Sequence, residues 1–118
     1  MLGVVLAVAM PGADVSGAYT GSWSGAAGAS GSFKMVVKDG KCEVTFGLGD
    51  TEVKTKTTHL ELGDSKIEVK YEFDLGGNRL ESTVTGKLTD KTLEGTYKTK
   101  AVGSGAQVDE GEWKATLQ

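Results

Sequence analysis

The sequence predicts an all-β domain, an eight-stranded antiparallel up-and-down (meander) β-barrel, closed or nearly closed. Three observations carry that expectation. Apolar and polar residues take turns with a period of two from Ser16 onward, the mark of strands with one wet face. The patterned runs are joined by short turns of Asp, Gly, Asn and Ser, residues that accept the backbone of tight hairpins. Gly is abundant, 18 against a single Pro, and is scattered through the patterned runs instead of gathered in a linker.

Taken in order, the first run lies near Gly17 to Ser24, with Tyr19, Gly21 and Trp23 on one face. The second, Ser32 to Lys38, turns Phe33, Met35 and Val37 inward, and Asp39-Gly40 closes a hairpin onto Cys42, Val44 and Phe46. A two-residue turn there sets Val37 against Cys42, Met35 against Val44 and Phe33 against Phe46. A slip of one residue would bury Lys and Glu, so the pattern fixes this register.

The same arithmetic at Gly49-Asp50 pairs Phe46 with Val53, and at Asp64-Ser65 it pairs Leu62 with Ile67. The loop Leu75-Gly76-Gly77-Asn78 pairs Phe73 with Leu80, Val69 with Val84, and Asp74 with Arg79. Asp90-Lys91 pairs Leu88 with Leu93 and Val84 with Tyr97. Alternation fails once. Val53, Thr55 and Thr57 point in, yet the next inward residues are Leu60 and Leu62, which predicts a β-bulge across Thr58-His59. The seventh run, Thr92 to Ala101, turns Leu93, Gly95 and Tyr97 inward. A Gly-rich loop, Val102 to Asp109, leads to the last run, with Trp113, Ala115 and Leu117. The connections are too short for Greek-key crossovers. Closing the sheet would remove its edges, so a barrel is expected over residues 16–118 as one domain.

A Gly precedes an aromatic by two at Gly17/Tyr19, Gly21/Trp23, Gly95/Tyr97 and Gly111/Trp113. Without a Cβ the strand can coil more sharply and a ring can lie over the backbone. These motifs fall in the first, seventh and eighth runs, which a barrel makes neighbours, so their rings should cluster. Gly86 should face Gly95 beside Tyr97.

Gly21-Ser22-Trp23 at the start of such a meander resembles the calycin group, the lipocalins and avidins. There a first strand bearing Gly-x-Trp opens an antiparallel barrel that holds a small ligand. Gly21-Ser22-Trp23-Ser24-Gly25 is also similar to the opening phrase of short lipocalin-like or avidin-like barrels on exported bacterial proteins. The resemblance implies a ligand-holding barrel. The chain departs from it where lipocalins carry Thr-Asp-Tyr, having Thr89-Asp90-Lys91. Its one Arg, Arg79, lies in the sixth run and not near the last. The loop Ser24 to Ser30 lacks the polar cluster of a biotin site and is too short for the helical lid of fatty-acid-binding proteins.

Composition narrows the function classes. Net charge is −3, with basic and acidic residues interleaved, so no basic face exists to displace the counterions of nucleic acid. The single Cys42 forms no internal disulfide and is expected as a small buried hydrophobe. The single His59 has neither a second His nor a Cys pair with which to hold a metal. Gly103-Ser104-Gly105 precedes no helix and is no phosphate loop. Catalysis, a cofactor and a metal are therefore not expected.

Residues 1–13 are apolar and uncharged. They are too short to cross a bilayer, but they match the apolar region of an export signal with Ala-x-Ala at Ala7 to Ala9. They are read as that signal or as a disordered apolar N-terminus, with an added strand or helix as the other reading. The first reading makes the mature protein secreted, periplasmic or part of the cell envelope, without a membrane span.

The leading expectation is a secreted binding module with a small apolar ligand at the barrel mouth, walled by Tyr19, Trp23, Tyr71, Tyr97 and Trp113. The alternative is a structural or protein-interaction module of the cell envelope with a filled interior, its protein partner unknown. The outward Thr, Lys and Glu of the runs read chiefly as a solvated surface.

Overall fold

The computed structural model describes residues 15–118. The apolar segment read as an export signal, and with it the expectation about localisation, lies outside the described residues. The strands are β1 (Gly17–Gly25), β2 (Ser30–Lys38), β3 (Lys41–Leu48), β4 (Thr51–Lys54), β5 (Lys56–Gly63), β6 (Lys66–Leu75), β7 (Asn78–Thr89), β8 (Thr92–Ala101) and β9 (Gln107–Leu117). They form one antiparallel sheet in the order β4-β3-β2-β1-β9-β8-β7-β6-β5. Among the described residues no helix is long and apolar enough to cross a membrane.

Each hairpin register deduced from alternation is present. Val37 faces Cys42, Met35 faces Val44 and Phe33 faces Phe46, and Phe46 also faces Val53. Leu62 faces Ile67, Phe73 faces Leu80 and Asp74 faces Arg79, while Leu88 faces Leu93 and Val84 faces Tyr97. At the first hairpin Asp39 and Gly40 both have positive φ, 54° and 74°, which gives the turn a twist that matches its strands. Arg79 donates to Asp74 at 2.7 Å and to Glu72 at 3.1 Å. Both contacts are exposed and contribute little stability.

The expected count and closure need correction. Among the described residues the sheet has nine strands, not eight, and is an open half-barrel, not a closed one. Both differences have one origin. The run Thr51 to Gly63 breaks at Thr55: β4 pairs with β3, while β5 pairs with β6. The two ends of the sheet are thus consecutive in the chain, with no backbone ladder between β3 and β5. Side chains take its place there. The Thr55 hydroxyl donates to the Val44 carbonyl at 2.7 Å, and the Thr57 hydroxyl donates to the Cys42 carbonyl at 2.6 Å. The bulge expected across Thr58-His59 is present as a register shift between Thr57 and His59.

The Gly-rich loop is also shorter than expected. β9 begins at Gln107, which pairs with Lys100, and a second register shift lies between Gln107 and Asp109. Pairing begins early because a bulge absorbs Val108 without breaking the ladder.

The concave face holds the core. At one end Tyr19, Met35, Val37, Val44 and Leu93 are almost fully buried, and Val15, just ahead of β1, joins them. Their interdigitation fills that end. The other end is built differently.

Candidate functional site

β1, β3, β6 and β8 end at this second end of the half-barrel, and β2, β7 and β9 begin there. Strand ends splay under sheet twist, and the residues that alternation turns inward here are rings: Trp23, Phe46, Tyr71, Phe73, Tyr97 and Trp113. They enclose a cavity of about 560 Å³. Val84, Phe33 and Trp113, all buried, form its floor. Leu48, Leu75, Leu80, Ala101 and Val108 form its rim. A volume of several hundred Å³ with an apolar wall is the usual form of a small-ligand site.

Hydrogen bonds hold the rings against the wall. The Trp23 indole N–H donates to the Gly47 carbonyl at 3.0 Å, and that of Trp113 to the Thr85 carbonyl at 3.0 Å. Both indoles are thus satisfied by backbone and present apolar surface to the cavity. Trp23 meets Phe46 edge-on at 6.2 Å and Tyr97 edge-on at 6.0 Å, while Phe33 and Trp113 pack at 5.0 Å. Such edge-to-face pairs suit the ring quadrupole. Trp113 also needs Gly86, which stands opposite Gly95. A Cβ at Gly86 would run into the indole's six-membered ring. The rings of β1, β8 and β9 therefore cluster, as the Gly-x-aromatic motifs predict, with Trp23 paired directly to Trp113.

Few polar groups reach the cavity. The Tyr71 hydroxyl is bonded to Ser82, and burial pushes its ionisation well above the ordinary tyrosine value. Ser82 in turn shares a hydrogen bond with Thr99. The Tyr97 hydroxyl donates to Asp109 Oδ2 at 2.8 Å. Its ionisation is also raised, by burial first and then by the carboxylate that its proton serves. Among the described residues no buried side-chain nitrogen or oxygen lacks a partner.

Of the five aromatic residues expected to wall a ligand site, Trp23, Tyr71, Tyr97 and Trp113 line the cavity. Tyr19 does not line it; it is buried in the filled end, opposite Met35. The sequence reading placed Phe33, Phe46 and Phe73 inward but did not count them as walls. It missed Asp109, assigning it to a loop. Counting back by twos from Trp113 through Gly111 would have put Asp109 on the inner face.

Other chemistry-bearing groups stand apart from the cavity lining. His59 Nε2 lies 3.3 Å from the half-buried Glu68 and near Glu61, with His59 and Glu61 exposed beside the bulge. Cys42 is buried, and its thiol is pushed up to about 12, by desolvation first and by the charge of Glu43 second. It therefore stays protonated and unreactive at neutral pH. Comparison of the chain with protein-family models, with curated proteins and with solved structures found no match.

Proposed function

We propose that this domain is a binding module that takes a small, mostly apolar ligand through the open end of its half-barrel. The calycin-like reading and an exported location belong to the same proposal. The observation that carries it is the roughly 560 Å³ ring-walled cavity whose indole donors are already committed to backbone carbonyls. An apolar guest there meets dispersion partners on several sides and strands no polar group.

Nile red, a neutral dye that brightens in apolar surroundings, tests the reading. Its emission should rise on titration into the purified domain. Ala101→Trp, which places an indole at the rim, should abolish the rise while leaving the far-UV circular dichroism unchanged. Absence of any rise, or an equal rise in the variant, would overturn the proposal.

A further inference from the structure

We infer that the ligand of this cavity carries a protonated amine, set at the mouth against Asp109, on an apolar body that lies among the rings. The inference rests on the binding function proposed above and adds the chemical class.

Among the described residues Asp109 is the one charged residue lining the cavity. Its position is built. The register shift between Gln107 and Asp109 absorbs Val108 and sets Asp109 opposite Thr99, another residue of the cavity wall. Bulges commonly re-aim a side chain in this way. The Tyr97 hydroxyl then clamps one carboxylate oxygen, Oδ2, at 2.8 Å. Among the described residues no Lys, Arg or His pairs with this carboxylate. Lys98 and Lys100 flank Thr99 on the neighbouring strand; both are exposed, Lys98 standing opposite Glu110 and Lys100 reaching Glu81 at 3.6 Å. Tyr97 thus occupies Oδ2, and Oδ1, which lies beside Gly25, is the oxygen assigned to a guest's donor.

The surroundings favour a cation over a neutral donor. Tyr97, which holds the carboxylate, stands edge-on to Trp23 at 6.0 Å, and Trp23 stands edge-on to Phe46 at 6.2 Å. An ammonium at the carboxylate gains a charge-assisted hydrogen bond, and an aromatic wall is a better neighbour for a cation than an aliphatic one. An anionic guest would meet Asp109 with no compensating cation among the described residues of the cavity wall.

Three ligands that share one aromatic body test this: naphthylmethylamine, naphthylmethanol and naphthylacetate, each titrated calorimetrically into the domain. The amine should bind about tenfold or more tightly than the alcohol, the scale of one charge-assisted hydrogen bond, and the carboxylate weakest. Asp109→Asn should remove the amine's advantage over the alcohol, with an unchanged far-UV circular dichroism spectrum reporting an intact fold. Should that variant not fold, rising salt in the unmodified protein gives the same answer, weakening the amine and sparing the alcohol.

Equal binding of amine and alcohol, an amine preference that survives Asp109→Asn, or one insensitive to salt would overturn the amine assignment while leaving the binding function standing. Failure of all three ligands to bind would overturn the binding function, and the amine assignment with it.

Discussion

The two ends of the half-barrel are made by the same strands and the same alternation, yet one is solid and the other hollow. At the filled end the inward residues are Met, Leu, Val and Tyr19, which interdigitate until nothing more fits. At the open end they are mostly rings, and two of the largest are tied flat to the wall by N–H bonds to Gly47 and Thr85. Larger side chains would be expected to fill space better. Here they leave it open, because an indole pinned across the neighbouring strand to a backbone carbonyl cannot cross the lumen. Side-chain volume alone therefore does not decide whether an interior is filled. Where each side chain is anchored decides it too.

That contrast can be broken most directly by truncation. Leu93→Ala at the filled end should cost about 2–5 kcal/mol, since it opens a void that rigid neighbours cannot close. Leu48→Ala on the half-buried rim should cost about 1 kcal/mol or less, because the space beside it is already open. Chemical denaturation of both variants checks the pair, and similar costs would mean that the open end is not hollow.

Gly86→Ala sharpens the comparison at the boundary between the ends. The new methyl meets the Trp113 ring, so a loss of about 1–3 kcal/mol is expected together with weaker nile red binding as the floor tilts. A stability loss with unchanged dye affinity would show that Trp113 is not part of the floor.

The seam between β3 and β5 gives a smaller effect. Thr55→Val and Thr57→Val each remove one hydroxyl-to-carbonyl bond and should each cost about 0.5–1.5 kcal/mol. Hydrogen exchange should quicken along β3 near Cys42 and Val44 and stay unchanged in β8 and β9. A uniform change would show that the seam does not open locally.

The smallest effect concerns Cys42 and appears only in alkali. Its thiol ionises at about 12 in the fold against an ordinary 9.0. Folding thus favours the protonated form, and the contribution is intact below about pH 9 and lost as pH climbs through about 12. Cys42→Val should flatten stability against pH across that window and change little at neutral pH. Reaction of the native thiol with Ellman's reagent should await unfolding.

Most of the backbone plan was legible in the residues. Val37 against Cys42 or Phe73 against Leu80 follows from a turn and a period of two, because a slip would bury charge. The bulge at Thr58-His59 was readable for the same reason, as a break of parity. Parity also held the answer for Asp109, but the Gly-rich composition of the preceding segment masked it. Tyr19 was misplaced for a different reason. Its face was correctly read as inward, but the pattern along a strand does not say at which level the lumen stays hollow.

What the sequence determined by itself is therefore the all-β meander, its hairpin registers and which side chains face inward, Leu62 excepted: alternation turns it inward, but near the end of an edge strand it stays exposed. Each of these depends only on neighbouring strands and on the cost of burying charge. The tertiary structure alone decided the break at Thr55, the open form of the sheet, the end that stays hollow and the meeting of Tyr97 with Asp109. These depend on how coiling and stagger accumulate across nine strands, and no single hairpin contains that sum.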